Sequence, residues 1–250
     1  MDIRTLLTGI AAGIVLVPGV AAAQDDESHM IEITEIDIKA GHWRKFSAGM
    51  ESYISCYEEQ EGEGSWSAWW DMEHSTIHLV SQMDGWADMD ERDEASMKCW
   101  SVIEEEIAPH ITKVETSFAR PLPDWSGDAE GYDVVRLHRF RVDDESAFRE
   151  TVGTVTDILE EAEYEHLGSW YDVIGNDAGE PDYFVVEHFD DFAEMDEDRA
   201  GAYRTVLDAE GEERADDLWE QFGDSLHDDW EYSTLLLSRS SELAYSPDED

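Results

Sequence analysis

Two hydrophobic periodicities alternate along the chain, and they come in the same order in both halves. Residues 31–39 and 132–142 are rich in β-formers and end in a polar turn, which predicts a first strand in each half. A helical period follows. In the first half it runs through Trp43, Phe46, Met50, Tyr53, Ile54 and Tyr57, and in the second through Phe148, Val152, Val155, Ile158, Leu159 and Ala162. Trp43 aligns with Phe148, Met50 with Val155, Tyr53 with Ile158 and Ile54 with Leu159 at one constant offset. Two strands come next, at 65–72 and 76–83, then at 169–174 and 183–189. A second helix carries Trp100, Ile103 and Ile107 in one half and Trp219, Phe222 and Leu226 in the other. To reach that register the second half needs extra residues. The acidic stretch 208–217 supplies them, and the expectation is a helix extended outward into solvent. Closing strands are predicted at 111–118 and 232–238.

Short sequence echoes mark the same repeat. Gly64-Ser65-Trp66 is followed by Trp86-Ala87-Asp88-Met89-Asp90-Glu91, and Gly168-Ser169-Trp170 by Phe192-Ala193-Glu194-Met195-Asp196-Glu197. Repetition at this length reads as internal duplication. The expected organisation is a first repeat at 30–120, a linker at 121–131, a second repeat at 132–240 and a disordered acidic tail at 241–250.

Residues 1–23 change the setting. An uncharged run from Thr5 to Ala23, closing on Ala21-Ala22-Ala23, reads as a secretory signal peptide cleaved before Gln24. An uncleaved anchor is the other reading, against which Gly9, Gly13, Pro18 and Gly19 count as poor helix formers. No other segment is long and apolar enough to span a bilayer, so none is expected after cleavage. The protein is expected to be exported, to a periplasmic or extracellular location.

Charge narrows the partners. Sixty-three acidic residues against sixteen basic ones give a net charge of −47. Self-repulsion on that scale is tolerable where salt screens it, so the composition reads as halophilic, with an ordinary acidic secreted protein as the alternative. Nucleic acid is excluded as a partner, because phosphate binding needs a basic stripe. Cys56 and Cys99 are the only cysteines. Export permits a disulfide between the two helices of the first repeat, which is the expectation; two free buried thiols are the alternative.

The element order β-α-β-β-α-β is the ferredoxin-like split unit, so the fold class is α+β. Two such units in tandem resemble the dimeric α/β-barrel superfamily, which includes antibiotic biosynthesis monooxygenase-like proteins, stress-responsive barrel proteins and, as fused two-unit chains, the chlorite dismutase group. The resemblance implies a pseudo-dimeric barrel whose sheets turn one face to the helices and the other to a ligand-binding lumen. It names no reaction.

Strand parity sorts the candidate chemistry. His138 and Arg136 share one face of their strand, and His78 and His188 lie on the third strands of the two repeats. If these parities face the lumen, the four residues line one cavity, with Trp66 and Trp170 of the second strands supplying aromatic walls. Strand histidines satisfied by neighbouring carboxylates, and tryptophans in the core, are the structural alternative. A haem site of the chlorite dismutase kind needs an axial histidine and a distal arginine, types met by His138, His188 and Arg136. Acidic clusters such as Asp190-Asp191 or His227-Asp228-Asp229 arise at this composition without a dedicated metal site. No motif requires a cofactor: there is no phosphate loop, no Gly-x-Ser-x-Gly elbow and no Cys-x-x-Cys. Two functional readings follow. One is a barrel that binds a small apolar or aromatic molecule, with or without oxygenase- or isomerase-type catalysis. The other is a non-catalytic envelope module for interaction or homo-oligomerisation.

Overall fold

A computed structural model describes residues 29–127, 131–175, 180–227 and 232–247. The expected signal peptide, and Asp228-Asp229, lie outside these residues. The chain divides into two compact units, one comprising residues 1–120 with 238–250 and the other residues 121–237. No helix among the described residues is long and apolar enough to cross a membrane.

In the first unit the strands are β1 (Met30–Ile38), β2 (Ser67–Asp71), β3 (Thr76–Met83) and β4 (Ile111–Pro121), hydrogen-bonded in the order β4-β1-β3-β2. Their pairing is antiparallel. Every second residue of β1 from Met30 to Ile38 is buried, as a strand with one face against helices requires. The helices are α1 (Trp43–Glu59), α2 (Glu94–Lys98) and α3 (Trp100–Val102), the last continuing as a π-helical turn, Ile103–Ile107. Phe46, Met50, Tyr53 and Tyr57 of α1 pack on Ile36 and Ile77 of the sheet. Each such side chain contributes about 2 kcal/mol of apolar burial. Gly49 lets α1 lie close against the π-helical turn: a Cβ there would lie 2.6 Å from the Glu106 carbonyl oxygen. Cys56 is disulfide-bonded to Cys99, at the junction of α2 and α3, with Cα atoms 5.9 Å apart.

The expected tail departs from disorder over its described part. Leu243 is 1% exposed within the core of the first unit. Trp66 and Tyr245 exchange backbone hydrogen bonds of 2.8 and 3.0 Å, and the Trp66 indole N–H donates to the Leu243 carbonyl. Leu243 and Tyr245 give this acidic stretch enough apolar surface to hold it.

In the second unit β5 (Val134–Phe140), β6 (Ser169–Ile174), β7 (Tyr183–Phe189) and β8 (Ser233–Arg239) run in the order β8-β5-β7-β6. The helices are α4 (Glu145–Glu161), α5 (Ala202–Glu210) and α6 (Glu212–Ser225). The Asp144 side chain caps α4 by accepting from the Ala147 N–H. Phe140, Phe148, Val152 and Tyr183 make one core cluster, and Leu159, Val206, Ala215 and Leu218 a second. Part of the expected linker belongs to this unit, since Leu122 and Trp125 pack on the first cluster.

Two sequence expectations need correction. The helices α1 and α4 match with Phe46 against Phe148 and Met50 against Val152, about one helical turn away from the predicted alignment. A helix nearly repeats every three to four residues, so an alignment slipped by a turn still superimposes its apolar stripe. The acidic insertion does not run outward. Gly211, at φ +90°, breaks the helix in two, and α5 folds back to bury Val206 completely.

The repeated Met-Asp-Glu signatures form 3₁₀ turns, Trp86–Asp90 and Glu194–Asp196. In each, an acid closes the turn from its start: Asp88 accepts from the Asp84 N–H and Glu194 from the Asp190 N–H.

Candidate functional site

The second unit holds a cavity of about 610 Å³ between its sheet and its helices. Val152, Val155 and Leu159 of α4 form one wall, with Trp219 and Phe222 of α6 and Ala202 of α5 beside them. The sheet contributes Phe140, Trp170 and Val185. Arg136, His138 and Glu187 stand among them, with Tyr232, which precedes β8, at an open side where it is 51% exposed. Tyr164 and His166 come from the loop before β6. The volume and the mix of apolar wall with a few polar groups are those of a small-molecule site.

Strand pairing explains why the polar groups meet. β5 and β7 pair with Arg136 opposite Glu187, His138 opposite Val185 and Phe140 opposite Tyr183. Directly opposed residues share a face. Phe140 and Tyr183 lie under Phe148, so this whole face looks toward the helices. Glu187 Oε2 accepts from Arg136 at 3.3 Å and lies 3.2 Å from His138 Nε2. His138 Nδ1 lies 2.5 Å from the Tyr232 hydroxyl. Burial by itself would raise the Glu187 carboxyl, but the His138 hydrogen bond and the charges of Arg136 and Arg199 outweigh it and hold the pKa below the usual carboxylate value. Arg199 is itself held by Glu194 and lies over the Phe189 ring at 5.4 Å. Burial raises the Tyr232 phenol.

The residues nominated from sequence fall into three places. Arg136, His138 and Trp170 line this one cavity. They face the helices and not the opposite sheet face, contrary to the expected parity. The β5 sequence carries apolar residues at both parities, and only the packing of Phe140 under α4 decides between them. His188 is opposite Val135 on the other face of the same sheet. It contacts Tyr132 at 4.2 Å and Ser169, and burial pushes its pKa down to about 4. His78 and Trp66 belong to the first unit. His78 is 3% exposed and 3.7 Å from the Glu35 carboxylate, while Trp66 is a core residue. Glu187 and Tyr232 were not singled out from sequence. Glu187 shares its strand parity with Val185 and Tyr183, which was the available signal, but nothing local points to Tyr232.

Haem would need a histidine nitrogen turned to the cavity for axial ligation. His138 offers none, because Nε2 faces Glu187 and Nδ1 faces Tyr232. His188 lies on the opposite sheet face, and Arg136 is turned to Glu187. The residues nominated for haem therefore do not fit that group. Among the described residues no cluster of three or more histidine, cysteine or carboxylate side chains has metal-binding geometry.

No family model matches the chain, and no curated protein matches it in sequence. Solved structures match it in fold. A protein from Lactobacillus acidophilus provisionally assigned as a monooxygenase is 14% identical, with a TM-score of 0.51 over 89% of this chain and 100% of that one. An anthrone oxidase-like protein is 10% identical, with a TM-score of 0.52 over 86% and 92%. A mutant chlorite dismutase from Candidatus Nitrospira defluvii is 10% identical, with a TM-score of 0.53 over 86% and 93%. Likeness at such low identity is a likeness of α+β fold alone.

Proposed function

We propose that this is an exported, halophilic-type protein, built from two ferredoxin-like repeats, that binds a small apolar or aromatic molecule in the cavity of its second unit. Its chemistry is of the oxygenase or isomerase kind that needs no tightly held metal. The observation that carries the reading is the cavity itself: about 610 Å³ of mostly apolar wall on which Arg136, His138, Glu187 and Tyr232 are joined to one another. That is how a site orients a ligand whose affinity comes from apolar contact. Similarity to a protein provisionally assigned as a monooxygenase and to one described as anthrone oxidase-like supports the same direction. Export rests on residues 1–23, and halophily on the excess of acids.

The test uses nitrobenzene, a small apolar aromatic that quenches tryptophan fluorescence. Trp170 and Trp219 line the cavity, so saturable quenching is expected. Val155→Trp fills the cavity from α4 and is expected to weaken binding at least about tenfold, the equivalent of about 1.4 kcal/mol. Equal binding by the filled variant, or no saturable binding by the original chain, would overturn the reading.

A further inference from the structure

A site that only had to enclose an apolar molecule would not need three titratable side chains joined end to end. Glu187, His138 and Tyr232 are so joined, at 3.2 and 2.5 Å, and the chain ends on the cavity. The direction of its protons follows from chemistry. An ionised carboxylate only accepts hydrogen bonds, so His138 carries its proton on Nε2 and donates it to Glu187. Nδ1 is then an acceptor, and the Tyr232 hydroxyl donates to it. The Tyr232 oxygen therefore meets whatever occupies the cavity with lone pairs alone. A ligand hydroxyl supplies the donor that those lone pairs accept from, and a ligand without one leaves that contact unmade.

Resting on the function proposed above, we infer that the ligand is an apolar ring molecule bearing a weakly acidic hydroxyl, and that Tyr232, His138 and Glu187 together draw off its proton. In this step the ligand O–H bond breaks and its proton passes to the Tyr232 oxygen. The proton of Tyr232 passes at the same time to His138 Nδ1. No electrons are gained or lost. The products are a ligand oxyanion that accepts a hydrogen bond from Tyr232, and an imidazolium that donates to the Glu187 carboxylate. Glu187 acts through His138 and is a positioning residue; Tyr232 is the group that touches the ligand. The charged and titratable groups around the relay are Arg136 from β5, Glu187 from β7, Tyr164 and His166 from the loop, Tyr203 from α5, and Arg199 ahead of α5. Arg136 and Arg199 add positive charge beside the imidazolium, and Glu187 offsets part of it. The raised Tyr232 pKa is consistent with a phenol that keeps its proton until a ligand arrives.

Nitrobenzene and 4-nitrophenol have nearly the same shape and differ by one acidic hydroxyl, so the pair separates the relay from the cavity. The original chain is expected to bind 4-nitrophenol more tightly than nitrobenzene. The ionisation midpoint of the bound phenol, read from its visible phenolate band, should fall by about one to three pH units, as for an acid placed within about 4–6 Å of a cation. In Tyr232→Phe both the preference and the downward shift should vanish. In Glu187→Gln, which removes the counter-charge of the imidazolium, the shift should shrink. Saturable nitrobenzene binding together with a 4-nitrophenol midpoint equal to that in water would overturn the relay and leave the cavity reading standing. A midpoint shift that survives in Tyr232→Phe would also overturn it. Failure of nitrobenzene to bind the original chain overturns the cavity reading and the relay with it.

Discussion

Glu32 offers the sharpest test of the energetics, because a carboxyl is buried there with one oxygen unpartnered among the described residues. It lies on the helix-facing side of β1, 7% exposed, opposite Ser81 of β3 and Phe118 of β4. Its Oε2 has no hydrogen-bond partner among the described residues. Burial raises its pKa from 4.5 to about 7. The sign follows from proton counting. Below pH 4.5 the carboxyl is protonated in both folded and unfolded chains and has no effect on the slope. Between 4.5 and about 7 the folded chain binds more protons than the unfolded one, so stability falls as pH rises. Above about 7 the loss is complete. At about 1.4 kcal/mol per pH unit, it amounts to on the order of 3 kcal/mol. Glu32→Gln removes the titration and keeps the shape. Its buried amide shifts stability by a constant amount, whereas the loss attributed to Glu32 depends on pH. Urea unfolding at fixed ionic strength, measured for both chains from pH 4.5 to 8, isolates the term, since the other carboxylates are common to both. The variant should gain on the original chain by about 3 kcal/mol across that range. Parallel curves would refute the reasoning and mean that Glu32 is solvated or paired.

Two further outcomes follow from the charge and the covalent link. Raising salt from about 0.1 M to about 1 M shortens the Debye length from about 10 Å to about 3 Å. With a net charge of −47 the thermal midpoint should rise steeply over that range, and a flat midpoint would exclude halophilic stabilisation. The Cys56–Cys99 bridge spans a sequence separation of 43 residues, which the chain-entropy model values at about 4 kcal/mol. The double Cys56→Ser, Cys99→Ser variant should unfold at correspondingly lower urea, and an unchanged midpoint would show that the bridge is absent or without effect.

Much of each unit was determined locally. The strands at 76–83, 169–174 and 183–189 and the two long helices follow from periodicity, because an apolar stripe of the right period can be buried in only one kind of element. The 3₁₀ turns at the repeated signatures are local as well, each closed by an acid four residues from the N–H it accepts. The tertiary structure decided what depends on contacts distant in sequence. Which face of β5 meets the helices could not be read from Val135, Leu137, Phe140 and Val142, since apolar residues occur at both parities and a slip of one residue exchanges the faces. Seating Phe140 under α4 placed Arg136 and His138 in the cavity and put His188 on the opposite face. Glu187 joins them only through the β5–β7 register, 51 positions from Arg136, and Tyr232 reaches His138 from 94 positions away. No local pattern encodes a hydrogen bond over such separations. The relay exists because β7 pairs beside β5 and the residue leading into β8 arrives at the same mouth.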